Sequence, residues 1–389
     1  MPSPSMKQIL IVILSVFYGF TCFAQTPLRD TNYTYNIPQQ LNDGIAVGSL
    51  KGAGIDSAKI IKLTKLILAD TFTNTHSLLI LRNSKLVYEN YFAGKDEIWG
   101  LKLGYAKHNI NSLHDVRSIS KSVVSACIGI AIKQKKIKSI DDPIFNYLPD
   151  YIQYKTELNS KITIRNLLTM SSGIKWDEDS PYTVTKNDET QMENSSDPVA
   201  YPLSLPMAEK PGTVWKYNSG GVQVLAHIIK NVSGYDVDEF ARHFLFDSLG
   251  IKDSQWIKIH NKVPAAASGL RLRSRDIAKF GLVYLNKGKY NHVQVIPKKW
   301  VDQSFETSIL RDTTTKTRGY GYLFWTQCDT INQKPHRIIS ARGNGGQRIF
   351  FDVKSKLIVV ITAGNYNNDN NVVNSGQVAL DKYILPAVE

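Results

Sequence analysis

Arg117-Ser118-Ile119-Ser120-Lys121 runs without a break into Ser122-Val123-Val124-Ser125-Ala126-Cys127-Ile128-Gly129-Ile130-Ala131-Ile132. The apolar residues fall nearly all round a helical wheel, so the stretch predicts a buried central helix of about four turns. Ser118 and Lys121 are three apart and therefore share one face. The positive end of the helix dipole and burial both oppose an ammonium there, so Lys121 can act as base to a Ser118 nucleophile.

Serine and lysine are common, and a chain of this length shows on the order of one such pair by chance. A second pair is present, Ser172-Gly173-Ile174-Lys175. It sits in a Ser-Ser-Gly turn signal followed by Trp176 and the acidic run Asp177, Glu178 and Asp179. Only the first pair heads an apolar helix. On its own, Ser118 also reads as an ordinary helix N-cap.

Outward from that helix, Asp56 predicts a cap for a helix carrying Ile60, Ile61, Leu63, Leu66 and Ile67. Leu78–Leu81 and Leu86–Phe92, joined by Arg82-Asn83-Ser84-Lys85, predict a two-stranded hairpin. A loop is expected over Gly94–His114 and a polar loop over Trp176–Asp197. Helices are expected at Ile164–Met170, Val222–Val232, Val237–Leu249 and Asp276–Leu285, the last capped by Ser274, with a closing helix at Val378–Leu385. Strands are expected at Tyr320–Thr326, Gln347–Phe351 and Leu357–Ala363. Strands at both ends with helices between predict an α+β fold: one antiparallel sheet built from both termini, flanked by helices. Residues 53–124 and 265–389 would form the sheet domain, 25–52 a lead segment and 125–264 a mostly helical inserted domain.

Residues 1–24 carry Lys7 as their only charge, an apolar run from Ile9 to Phe17, and Cys22-Phe23-Ala24 as a small-residue cleavage pattern. That is the pattern of a signal peptide, with Met6 an alternative start, and it predicts a secreted or periplasmic chain cut near Ala24. No other stretch reaches the ~18 apolar residues of a spanning helix. Cys127 and Cys328 would be the only cysteines left, and a core of this size needs no disulfide. The net charge of +13 comes from scattered lysines with one cluster at Lys133, Lys135, Lys136 and Lys138. It lacks the motifs of a nucleic-acid binder and suits contact with an anionic cell envelope.

Two further segments carry chemistry. Pro211-Gly212-Thr213-Val214-Trp215-Lys216-Tyr217-Asn218-Ser219-Gly220-Gly221 puts a tyrosine on a tight loop before a helix. Ala341-Arg342-Gly343-Asn344-Gly345-Gly346-Gln347 puts glycines at a strand entry, where backbone N–H groups can approach a substrate. The eight histidines, at 76, 108, 114, 227, 243, 260, 292 and 336, show no His-x-x-x-His or paired-cysteine spacing. No metal site and no cofactor are expected. A Gly-x-Ser-x-Gly elbow is absent as well.

Taken with Ile162–Gly173, Arg275–Gly281 and Gly319–Trp325, these motifs resemble the serine hydrolases of the class C β-lactamase and penicillin-binding protein superfamily. The resemblance runs from the first hairpin to the C-terminus. It implies a β-lactamase/transpeptidase-like fold and Ser118, Lys121 and Tyr217 as catalytic residues. It also implies an oxyanion hole from the backbone N–H groups of Ser118 and Asn344.

Two departures stand out. The usual Tyr-x-Asn is Tyr217-Asn218-Ser219, and Ala341-Arg342-Gly343 stands where Lys-Thr-Gly or His-Thr-Gly is usual. With Trp176 they look more like the esterase and 6-aminohexanoate-dimer hydrolase branch. The expected substrate is then a small ester or amide, contacted by Ser219, Arg342, Gly343 and Trp176. A D-alanyl peptidase, a β-lactamase, and a non-catalytic cell-wall binder remain the alternatives.

Overall fold

The computed structural model describes residues 31–260, 262–331, 333–368 and 374–388. The expected signal peptide lies outside them. Among the described residues no helix is long and apolar enough to cross a membrane.

The organising element is a nine-stranded sheet. In spatial order its strands are Ala46–Val47, Lys85–Tyr91, Thr75–Arg82, Leu357–Ala363, Gln347–Asp352, Lys334–Gly343, Trp325–Ile331, Arg318–Tyr320 and Ile309–Leu310. Every pairing is antiparallel except the outermost, where Ala46–Val47 runs parallel to Lys85–Tyr91. The two chain ends meet in its middle, with Ile80 opposite Val359 and Leu78 opposite Ile361. These strands are apolar throughout because both of their faces are covered.

One face packs under Ser57–Leu68 and the C-terminal helical turns around Leu380, Ile384 and Leu385. Asp56 caps the first of these through Ala58 N–H, as expected. The other face carries Ser274–Leu285 and, beyond it, the central helix Ile119–Lys133. Residues 119–131 of that helix are all buried, which an apolar sequence all round requires.

Several expected boundaries change. Gly94–His114 contains a hairpin, Ala93–Ile98 with Leu101–Lys107, whose charged and glycine residues conceal it in the sequence. Trp176–Asp197 contains the helix Asp188–Asn194, capped by Asn187. The single strand expected at Tyr320–Thr326 is two strands, because the chain turns at Leu323 with φ +60°. Lys334–Gly343 is a further strand that its polar beginning hid. Ser274 is the first helical residue rather than a cap, and its hydroxyl bonds Ser77 Oγ at 2.8 Å. Val237–Leu249 begins as an α-helix and then loosens and tightens through Arg242–Phe246 and Asp247–Leu249. Cys127 is buried and Cys328 exposed, both free.

Candidate active site

The approach to Ser118 is conformationally unusual. Arg117 adopts φ +50°, a sparsely populated region for a non-glycine residue. It is held there from several sides. Its guanidinium bonds Glu97 at 2.6 Å, lies 3.4 Å from Asp115, and stacks over Tyr366 and Trp99. The turn releases Ser118 at the start of the central helix, with no side-chain capping bond of its own. The hydroxyl that closes this turn is that of Ser120, donating to the Arg117 carbonyl and accepting from Leu270 N–H.

One helical turn on, Lys121 is 1% exposed. Its Nζ lies 2.9 Å from Ser118 Oγ and 3.0 Å from the Ala267 carbonyl oxygen. The Tyr217 ring lies 4.9 Å from the same amine, with its phenol close to the Ser118 side chain. Burial, and next the nearby Glu178, raise that phenol well above its ordinary value, so it stays protonated at neutral pH. Tyr217 is positioned from both ends. Lys216 N–H bonds the Met170 carbonyl, and Asn218 caps the helix Ser219–Ser233 through Gly221 N–H.

The strand Lys334–Gly343 brings the third segment against this pair. A side chain at Gly343 would place its Cβ 2.3 Å from the Val116 carbonyl oxygen, so only glycine permits this approach. The Asn344 side chain is locked to Asn367, donating to its Oδ1 at 2.6 Å and accepting from its N–H at 3.0 Å. A cleft of about 470 Å³ opens here, with Ser118, Tyr217, Trp325, Arg342, Gly343 and Asn344 on its wall. A smaller hollow of about 180 Å³ continues past Ser118 towards Glu97, Arg117, Glu189, Glu193 and Ser268.

The remaining expected substrate contacts divide. Arg342 reaches the cleft wall, lying over Trp325 and bonded to Ser340 Oγ and Gln327 Oε1. Burial, with the neighbouring Arg348, Arg311 and Arg318, lowers its pKa to about 9, which still leaves it charged at pH 7. Trp176 and Ser219 do not line the cleft. Trp176 is packed behind it, 4% exposed, with its indole N–H on Glu178 Oε2, and the Ser219 hydroxyl donates to Glu178 Oε1.

Glu178 is the residue that sequence reasoning missed. It accepts from Trp176, from the N–H and hydroxyl of Ser219, and from the Tyr182 hydroxyl. Burial and Glu189 nonetheless raise its carboxyl to about 7, against the opposing pull of Lys121 and the Ser219 bonds. Glu193 is raised to about 8 for the same first two reasons. The acidic run after Trp176 was visible, but nothing in the sequence said that its middle member turns inward.

The histidines gather despite their spacing. His76, His108 and His114 come together around Asp96, on the far side of Asp115 and Arg117 from Ser118 in the chain. The expectation of no metal-ligand group rested on short sequence spacings. The sheet and the hairpin bring residues 20 and 38 positions apart into one cluster.

Comparison with known proteins gives the following. Residues 68–381 match the family model described as Beta-lactamase. The 6-aminohexanoate-dimer hydrolase of Paenarthrobacter ureafaciens is 24% identical over 305 residues, covering 74% of this chain and 72% of that protein. PbpX of Bacillus subtilis (strain 168), proposed to be a penicillin-binding protein, is 25% identical over 194 residues, half of this chain but only 44% of its own length. A solved Bacillus anthracis protein, proposed to be a 6-aminohexanoate-dimer hydrolase, superposes with a TM-score of 0.67 at 19% identity. That superposition covers 93% of this chain and 90% of the other, and supports the fold.

Proposed function

Because the chain belongs to the beta-lactamase family and is a serine hydrolase, we propose that it cleaves small esters or amides through an acyl-enzyme on Ser118. The observation that carries this reading is the 2.9 Å approach of a buried amine, Lys121 Nζ, to Ser118 Oγ. Ser118 Oγ forms a bond to the substrate carbonyl carbon while its proton passes to Lys121. Collapse of the tetrahedral intermediate breaks the ester or amide bond, and the leaving alcohol or amine takes a proton relayed by Tyr217. Water then attacks the acyl-enzyme, losing its proton to the same groups, and the acid departs as Ser118 regains its hydrogen.

The oxyanion would lie between the backbone N–H groups of Ser118 and Asn344, each worth ~10²–10³ in rate. The reciprocal Asn344–Asn367 bonds support that role by fixing the strand end. The cleft supports a substrate carrying a carboxylate, which would face Arg342 on its wall. The uncharged bodies of Trp325 and Tyr217, stacked at 5.5 Å, would cover an acyl chain. The leader read in the sequence supports a secreted or periplasmic site of action, and the basic charge supports residence near an anionic envelope.

A panel of short p-nitrophenyl esters, linear amides, D-alanyl dipeptides and nitrocefin, run beside Ser118→Ala, tests the proposal. Rapid ester or linear-amide turnover abolished in the variant is expected. Slow release of a bound fluorescent penicillin with no ester turnover would move the chain to the peptidase and β-lactamase reading. Activity surviving in Ser118→Ala would sink both.

A further inference from the structure

The sheet and the hairpin Ala93–Ile98/Leu101–Lys107 enclose a second group of chemically competent side chains. The Asp96 carboxylate faces three imidazoles. Its Oδ1 lies 3.9 Å from His76 Nδ1 and 3.8 Å from His114 Nε2, and its Oδ2 lies 3.9 Å from His108 Nε2. The side chains of all four residues are at most 6% exposed. His108 stacks on His76 with ring centroids 4.0 Å apart.

We propose that His76, His114, His108 and Asp96 form a binding site for one divalent cation of the zinc class. Three nitrogen donors and one carboxylate make the donor set that zinc favours among biological cations. His76 Nδ1 and His114 Nε2 are 2.8 Å apart, and each is 3.8–3.9 Å from Asp96 Oδ1. Tetrahedral bonds of about 2.0 Å place donor atoms about 3.3 Å apart, so shifts of roughly half an ångström bring these three atoms onto the polyhedron. His108 Nε2, 3.9 Å from Asp96 Oδ2, must move further to fill the fourth corner.

Hydrogen bonding argues the same way. His114 Nδ1 is 3.0 Å from the Asp115 carbonyl oxygen, which only a donor can satisfy, so its Nε2 carries the lone pair. Without a cation, His76 Nδ1 must then donate to His114 Nε2. That leaves His76 Nε2 a buried lone pair without a hydrogen-bond partner, and His108 Nε2 has none either. A bound cation removes the conflict. Both facing nitrogens become ligands, and the hydrogen of His76 moves to Nε2, the outer nitrogen of a metal-bound histidine.

The rings crowd one another, with His76 and His114 centroids 5.1 Å apart and those of His108 and His114 5.6 Å apart. The backbone crowds in too. A Cβ at Gly94 would sit 2.7 Å from His76 Nε2. Such a cation would pin the hairpin that supplies Glu97, the partner of Arg117, against the segment leading to Ser118.

The test uses the full chain with no histidine tag, stripped by a chelator, given zinc chloride alone, desalted, and measured by elemental mass spectrometry. One zinc per chain is expected, falling to background in the His76→Ala/His114→Ala double variant and unchanged in His336→Ala. Because the double variant can misfold, Asp96→Asn supplies a second reading. Zinc should raise the melting temperature of the stripped wild type, with affinity lowered by at least about 10–100-fold in Asp96→Asn. Wild type that takes up no zinc, or zinc retained equally by the variants, overturns the proposal. The readout is metal content and leaves the hydrolase reading untouched.

Discussion

The chain contains the same four-residue pattern twice, and the two copies end in opposite environments. Ser118-Ile119-Ser120-Lys121 opens a buried helix, which turns both functional groups onto one face and holds the amine 1% exposed. Ser172-Gly173-Ile174-Lys175 lies in a turn where Gly173 has φ +78°. There the Ser172 hydroxyl accepts from Ile174 N–H, and Lys175 points to solvent. The spacing is identical, so spacing alone cannot be what brings a hydroxyl against a buried amine. A helical backbone supplies the shared face, and the apolar sequence after Ser118 supplies the burial.

The largest expected difference between the copies is in turnover. Ser118→Ala should lower kcat by at least about 10⁴-fold with its melting temperature retained, while Ser172→Ala should stay within the range of ordinary surface and turn substitutions. Equal losses in both variants would erase the distinction. Tyr217→Phe sharpens it, because that phenol stands beside the first copy. Steady-state assays should show a loss of about 10²–10⁴-fold, concentrated in kcat. Gly343→Ala displaces the strand end from Val116 and should cost on the order of 10² in kcat/KM, measurable without touching any reacting group.

A smaller effect belongs to Glu178, whose carboxyl is raised from 4.5 to about 7. Between those values the folded chain binds a proton that the unfolded chain releases. The stability from this group is therefore full below about pH 4.5 and lost as the pH climbs through about 7. Glu178→Gln should flatten that decline in a series of melting curves, whatever it does to stability at a single pH. The least effect is expected of Lys175→Ala, within about 0.5 kcal/mol in stability and with turnover unchanged.

What the sequence disclosed follows from the same contrast. The central helix, the capped first helix and the hairpin around Asn83 and Ser84 announce themselves through strong periodicity or turn chemistry, and both turn residues do take positive φ. Tyr217 and Gly343 were singled out by their motifs, and the fold brings both to the cleft wall beside Ser118. Arg342 was read as a substrate contact and lies on the cleft wall, while its ties to Ser340 and Gln327 left no mark in the sequence. Trp176 was read as a substrate contact from the likeness to the esterase and 6-aminohexanoate-dimer hydrolase branch. Burial instead puts it behind Glu178, where the departure from Tyr-x-Asn finds its physical meaning: Ser219 turns inward to bond that carboxylate. The hairpin Ala93–Lys107 and the His76–Asp96–His114 cluster were invisible because polar strands carry no alternation and tertiary proximity leaves no spacing to count.

The most direct measurement is the mass-spectrometric site of modification by a fluorophosphonate in the folded chain. Attack by an activated serine predicts one adduct, on the peptide containing Ser118, lost in Lys121→Ala and absent from the Ser172 peptide. No adduct on Ser118, or equal labelling of Ser172, would contradict the pairing of a buried amine with that hydroxyl.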